Sequence, residues 1–554
     1  QVFGGIDFIN TYHTFTETEI KANKIMKGRK LEDGEFTFTL KDLNEDAAQN
    51  TGVDLSVKVV KTSDSDYEGL ATFDKLHFAI NPTAEQLQAG YIDVTKRLDA
   101  NDQYKMELEM AEDLTNLKEG VIPVPPTSRK VTVLVTYDRT NGILSAAIDP
   151  ADAKFEFINR EISVKKVDLL SEKEIVGAKM QVLDEAGDVI FSYTSTTEPT
   201  IIKAAEGKEL AVGKTYTLHE ELAPKGYTIA RDTTFKILEN GELEVTCDKA
   251  TDDEGREVLL VKDAPVPTFE KKIKDKNDTE GTESGWQDSA DYDIGDSVPY
   301  QLTAKLAGNV TDYPSYHITF HDVMESSLDF EKIEKVLVNG EEVKDYDLEL
   351  VKNDSDSNIH EFNLTLTWKK ADGEDRITDG KLNGAAVEVY FTAKLNERAA
   401  FGKQGNVNKC QLIYSSNPNV GQEGKVESTE YDAVIAFTYK VVVNKVSEKG
   451  NPLAGAEFKL EKKIKGTTEL KLIDCVKAEN GVSFTFKGLD DGTYVLTETK
   501  HPKGYKQIAP ITFTVTAKHT PDWDGNENSR IDILTNLEGG DPYLGYVKAP
   551  ELIF

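Results

Sequence analysis

Apolar and polar residues alternate along most of this chain, in runs of Val, Ile, Thr, Phe and Tyr that Gly, Asn and Asp interrupt. A period of two puts successive side chains on opposite faces of a strand, so each run predicts a half-buried β-strand and each interruption a turn. Stretches with a 3.6-residue period are scarce, and short helices are predicted only near residues 83–89 and 113–117. Short strands repeated over 554 residues predict an all-β chain of roughly three to five domains. The architecture expected is a row of tandem immunoglobulin-like β-sandwiches arranged as an elongated rod.

One strand pattern occurs twice. Residues 216–227 read YTLHEELAPKGY and residues 494–505 read YVLTETKHPKGY. Tyr, Leu and Glu fall at alternate positions in both, so Glu220 and Glu498 share a face with a Leu and a Tyr. Each segment then leaves the sheet through Pro-x-Gly-Tyr, where Pro ends the pairing and Gly supplies the turn. A carboxylate on an apolar face enters a core, where it must stay protonated or meet a buried cation.

A matching Lys lies upstream each time, in ISVKKVDLL and VVVNKVSEK. Lys166 shares a face with Ile162 and Val164, and Lys445 with Val441 and Val443; the Lys-to-Glu separations are 54 and 53 residues. Each unit closes on a strand with an acyl side chain, Asp263 in VLLVKDA and Asn536 in IDILTN. Apolar strands that bury a Lys, a Glu and an Asp or Asn at repeated spacing point to chemistry among those three groups.

These residues resemble the Cna-B-type modules of Gram-positive surface proteins and pilins. The resemblance implies that Lys166 attacks the Asp263 side-chain carbonyl and Lys445 that of Asn536. Each attack forms an intramolecular isopeptide bond, with Glu220 and Glu498 as the assisting catalytic acids. Residues 13–160 resemble an FctA-like pilin domain that opens on IKANKIMKGRKLEDGEFTFTL, which implies Lys24 as nucleophile and Asn159 in KFEFINR as acceptor. Its acid is open between two residues: Glu112 has the inward parity of Tyr104, Met106, Leu108 and Met110, whereas Glu109 is nearer the family position.

Residues 266–437 resemble the Cna-A-like middle domain of backbone pilins. The resemblance implies a nucleophilic Lys, for which Lys271, on the face of Phe269 and Ile273, is the candidate rather than Lys272. It implies a buried acid as well, for which Asp322, two past Phe320, is the candidate. Asn408, in phase with Cys410, Leu412 and Tyr414, is the acceptor rather than Asn406 or Asn417. Residues 161–265 and 438–554 are then the two Cna-B-like domains. Residues 1–12, with IDFINTY, read as the trailing strand of a preceding module or the first strand of the next, and leave Asn10 without a Lys of its own. The join VKDAPVPTFEKK carries two Pro in three positions and predicts a stiff connector.

Charge removes several alternatives. With 98 Asp and Glu against 65 Lys and Arg the net charge is −33, and no basic stretch offsets it, so no nucleic-acid partner is expected. No run of apolar residues is long enough to span a membrane. The chain opens at Gln1 and ends at ELIF, and is read as a fragment of a longer mature protein whose signal and wall anchor lie outside it. Cys247, Cys410 and Cys475 fall in different modules and build no disulfide framework, which leaves internal amide crosslinks to restrict the unfolded chain. DYDIGDS and PDWDGNENS are acidic loops of a composition that could hold calcium, but their spacing fits no EF-hand, so neither metal nor cofactor is assigned.

No GxSxG, HExxH, phosphate-loop or dinucleotide motif is present, and a bond made once per module is not turnover; no enzyme is expected. The function expected is a structural cell-surface fibre, a pilus shaft subunit or adhesin stalk stiffened by its own Lys–Asn and Lys–Asp bonds. It would be extracellular, on the cell wall or pilus of a Gram-positive bacterium, with other pilin or surface-protein subunits as partners through sortase. The alternative is an adhesin that uses the same domains to bind host matrix or glycan. A WxxxVYPK-like pilin motif is missing; PVPPTSRK, with Lys130, is its nearest look-alike.

Overall fold

The computed structural model describes residues 12–44, 50–353, 356–420, 425–477, 481–526 and 528–537. Asn10 and the segment after Gly540 lie outside them. The chain divides into two compact units, residues 1–263 and 264–554, and each contains two β-sandwiches. None of the helices among the described residues is long and apolar enough to cross a membrane.

In the first unit, one sandwich packs two five-stranded sheets. One runs Ile122–Val124, Glu156–Arg160, Lys21–Lys27, Glu68–Thr72, Val60–Lys61; the other runs Ile143–Ile148, Ser128–Asp138, Gln103–Glu112, Thr37–Asp42, Asp54–Lys58. Inward side chains of both sheets interdigitate, and Phe38 meets Phe157 edge to face at 4.7 Å. Opening strand Lys21–Lys27 lies parallel to closing strand Glu156–Arg160, with Met26 opposite Asn159.

The second sandwich repeats that device. Ser163–Asp168 lies parallel to Glu257–Asp263, with Asp168 opposite Asp263. Its other sheet runs Val189–Thr194, Lys179–Leu183, Thr215–Leu222, Thr233–Ile237, Leu243–Val245. Ile122 and Val124 of the first sandwich join its core, so the two share packing.

In the second unit, a six-stranded sheet that contains Thr268–Asn277 faces a seven-stranded sheet that contains Ser315–Met324 and Asn406–Ser415. Between them lies an apolar core that includes Tyr300, Phe320, Phe362 and Phe391. The last sandwich is built on Glu457–Lys463, Gly492–Lys500, Leu470–Lys477 and Ile511–Val515. Val407, Ile435 and Phe437 of its neighbour enter its core. Its opening strand Tyr439–Asn444 pairs with Ser483–Leu489, while Leu534–Leu537 pairs with Ala517–His519. The parallel opening-to-closing pair of the other copy is therefore not repeated among the described residues.

The helix expected near residues 83–89 forms as Ala84–Gln88, capped by Thr83 and Gln86 in a reciprocal box. The one expected near 113–117 does not form. Asp113 instead bonds the backbone N–H of Thr115 at 3.0 Å and closes a turn. That local bond competes with helix, and too few residues remain before Gly120 to outweigh it.

Candidate isopeptide sites

Inward alternation carries Lys24 between Ala22 and Met26 into the first core, where its ammonium lies 4.3 Å from the centre of the Phe36 ring. It donates to Glu112 Oε1 at 2.8 Å, and the same oxygen accepts from Asn159 Nδ2 at 2.8 Å. Glu112 ends the inward series Tyr104, Met106, Leu108, Met110 and is buried, whereas Glu109 faces solvent opposite Lys41 and Lys130. Of the two carboxylates left open by the sequence, Glu112 is the one that meets Lys24 and Asn159. Burial, opposed by Glu112, pushes the Lys24 ammonium down to about 8.

In the second sandwich Lys166, Glu220 and Asp263 are all buried. Lys166 Nζ is 3.0 Å from Glu220 Oε2 and in contact with Asp263 Oδ1. Neither approach is aligned for hydrogen bonding, and both Asp263 oxygens, Glu220 Oε1 and Lys166 Nζ are left without a well-formed bond. Glu220 Oε2 is held by the Ala230 N–H at 2.6 Å. Burial pushes the Asp263 carboxyl up to about 8, with Lys166 opposing the rise and Glu220 adding to it. In both sandwiches of this unit the acceptor sits opposite the residue two past the Lys, Met26 in one and Asp168 in the other.

Lys271 approaches from the sheet facing Asp322 and Asn408. Its Nζ is 2.5 Å from Asp322 Oδ2 and packs 4.8 and 5.0 Å from the Phe391 and Tyr300 ring centres. Lys272 points away and pairs with Asp288 at 2.8 Å. On adjacent antiparallel strands Asp322 stands opposite Cys410 and Met324 opposite Asn408, so acid and amide are diagonal neighbours on one face. The Asn408 amide lies beside Asp322 and Tyr300, yet neither of its polar atoms has a hydrogen bond of good geometry. Asn406 is buried too, but the backbone of Ala400 and Ala436 occupies both ends of its amide. Asn417 caps a turn at Asn419. Burial raises the Asp322 carboxyl, with Lys271 opposing.

In the last sandwich Lys445 Nζ is 3.0 Å from Glu498 Oε1, and the Ile508 N–H holds Glu498 Oε2 at 2.9 Å. That N–H lies ten residues past the Glu, as Ala230 lies past Glu220. The backbone of Asn536 pairs with Lys518, and its side chain lies outside the described residues. Amine and acid are together here.

Two parts of these sites have no signal in strand parity. The backbone N–H groups that seat Glu220 and Glu498 come from segments without periodicity, and the Tyr300 hydroxyl is brought to Asn408 only by the packing of two sheets. The three cysteines are free.

Residues 20–161 match the family described as the Spy0128-like isopeptide containing domain, FctA. Residues 160–251 and 439–528 each match the SpaA prealbumin-like fold domain. The trypsin-resistant surface T6 protein of Streptococcus pyogenes serotype M6 is 28% identical over 262 residues, 40% of this chain, and the match spans about half (46%) of that relative's length. Among solved structures, BcpA, the major pilin subunit of Bacillus cereus, is 18% identical over 64% of this chain and 95% of its own, with a TM-score of 0.41. The major pilin SpaD of Corynebacterium diphtheriae is 19% identical over 64% and 90%, with a TM-score of 0.42. The chain therefore carries one FctA isopeptide-type domain, at residues 20–161, and two SpaA prealbumin-like domains, at residues 160–251 and 439–528.

Proposed function

We propose that this chain is a load-bearing segment of a Gram-positive surface fibre, a pilus shaft subunit, whose sandwiches weld themselves shut. The bonds assigned are Lys24–Asn159, Lys166–Asp263, Lys271–Asn408 and Lys445–Asn536, assisted by Glu112, Glu220, Asp322 and Glu498. One observation carries the reading. Buried polar atoms without well-formed hydrogen bonds collect at these positions: Asn159 Oδ1, Lys166 Nζ, Glu220 Oε1, both Asp263 oxygens, Asp322 Oδ1, both Asn408 amide atoms and Glu498 Oε1. Such atoms are costly in a core, and amide formation would remove the amine and the acyl group from that tally together.

The chemistry follows from burial. Lys attacks only as a neutral amine, and an apolar core disfavours its charge while it favours a protonated carboxylic acid. That acid hydrogen-bonds the acceptor carbonyl, withdraws electron density from its carbon and relays the proton to the leaving group. The nitrogen–carbon bond forms as the carbon–nitrogen bond of Asn or the carbon–oxygen bond of Asp breaks, and ammonia or water departs. Folding brings the reactants together, worth about 7–11 kcal/mol in well-oriented intramolecular reactions. Each module reacts once, so the protein is its own substrate and not a turnover enzyme.

The partners that fit are further subunits of the same fibre, joined by sortase outside the cell. Intact-mass measurement of the purified chain tests the reading: four bonds remove three ammonias and one water. A mass equal to that of the unmodified sequence would refute it.

A further inference from the structure

Within the second unit, the two sandwiches meet at a cluster of carboxylates that the crosslinking chemistry does not use. Asp275, on Thr268–Asn277, and Asp291, on Ser289–Asp291, come from one sandwich. Asp490 and Asp491, in the turn before Gly492–Lys500, come from the other. Oxygens of Asp291, Asp490 and Asp491 lie within 4.8 Å of one another, as do ligand atoms of Asp275, Asp291 and His519.

Asp291 is the centre of this group. Its side chain is 2% exposed, and its Oδ2 receives no hydrogen bond of good geometry; the Tyr439 hydroxyl nearby is not aligned to donate to it. Of the two ammonium groups at the junction, Lys462 reaches the edge of the cluster at Asp490, and neither reaches Asp291 or Asp491. Lys462 Nζ sits 2.8 Å from Asp490 Oδ2 and 3.1 Å from Asp293 Oδ2, and Lys471 Nζ lies 3.4 Å from Asp293 and from Asp296. Among the described residues the basic group paired with Asp291 is the His519 ring, 3.7 Å from its Oδ1.

We propose that this junction is a calcium site, with Asp291 from one sandwich and Asp490 and Asp491 from the other as its ligands. Calcium takes six to eight oxygens in flexible geometry, which three carboxylates and water can supply, whereas zinc favours nitrogen and sulfur and would find neither among these three. Like charges crowded in a buried place repel, and a divalent ion turns that repulsion into attraction on both sides of the joint. The ion would then clip the two sandwiches together non-covalently, in a place that no assigned isopeptide bond spans.

The test uses the full chain stripped of metal with chelator. Calcium chloride is titrated calorimetrically against wild type, Asp291→Asn and Asp491→Asn, with magnesium chloride in parallel, and thermal melts are recorded with and without calcium. The expected result is saturable binding of one calcium per chain, a calcium-dependent rise of one melting transition, and a loss of affinity of roughly tenfold or more in each variant. Asp491 is only partly buried, so its variant keeps the fold if Asp291→Asn does not. No saturable heat with wild type, wild-type affinity in both variants, or magnesium binding as tight as calcium would each overturn the proposal.

Discussion

Lys166 and Asp263 are 97 positions apart in sequence, yet their strands run side by side in the same direction and place the amine against the carboxyl inside one core. Parallel neighbours at the two ends of a module are pulled in opposite directions when the chain is stretched. Their hydrogen bonds then bear the load in shear, unless a covalent link between the two side chains takes it instead. Lys24 and Asn159 occupy the same relationship one module earlier.

The first prediction concerns the acid of that site. Glu220→Ala is expected to leave the second sandwich folded but unbonded, so that the intact mass shows one water more than the substitution alone accounts for. Loss of a crosslink that closes a loop of this length should reduce stability by about 4–5 kcal/mol on the chain-entropy account. A Glu220→Ala chain that still lacks that water would remove Glu220 from the mechanism.

The second separates two acids on one strand. Glu112→Ala is expected to abolish the Lys24–Asn159 bond, since its Oε1 is the atom both partners reach. Glu109→Ala, on the solvent face of the same strand, is expected to keep that bond and change stability by no more than about 0.5 kcal/mol. Peptide mapping that finds the crosslink in the first variant and not in the second would reverse the assignment.

Strand parity made much of these sites legible. A period of two says which face a residue occupies, and that is enough to put Glu112 rather than Glu109, and Lys271 rather than Lys272, on an inward face. It does not say which strand lies alongside, because a parallel opening-to-closing pair is set by topology. The junction cluster shows the same limit. Lys462 has the inward parity of Phe458 and Leu460, but its partners Asp293 and Asp490 sit on turns, which have no periodicity to read. The missing helix near residues 113–117 belongs here as well, since one Asx turn decided it.

A third prediction follows from two buried amides on one strand. Asn408→Ala is expected to show one ammonia less of deficit, because its amide is the one beside Asp322, which holds Lys271. Asn406→Ala keeps the bond and loses about 1–3 kcal/mol, since the Ala400 N–H that its side chain satisfied is left without that partner. Mass spectrometry and denaturant unfolding of the two variants read the two effects separately.

The fourth prediction is a pH dependence that only an unbonded module can show. In Asn159→Ala the Lys24 amine is free, with a folded value near 8 imposed by burial against an unfolded value of about 10.4. A lysine depressed in the folded state binds fewer protons there than in the unfolded chain, so stability rises with pH between those two values. Below pH 8 both states are protonated and the cost of the buried charge is paid in full. Above roughly pH 10.4 both are neutral and the cost is gone, a recovery on the order of 3 kcal/mol. Wild type, with its nitrogen locked in an amide, has no such proton to lose. Urea unfolding of the first unit, residues 1–263, at pH 7.5 and pH 9.5 is therefore expected to show Asn159→Ala gaining stability relative to wild type. A constant difference between the two proteins across that interval would mean that Lys24 is free in both or buried in neither.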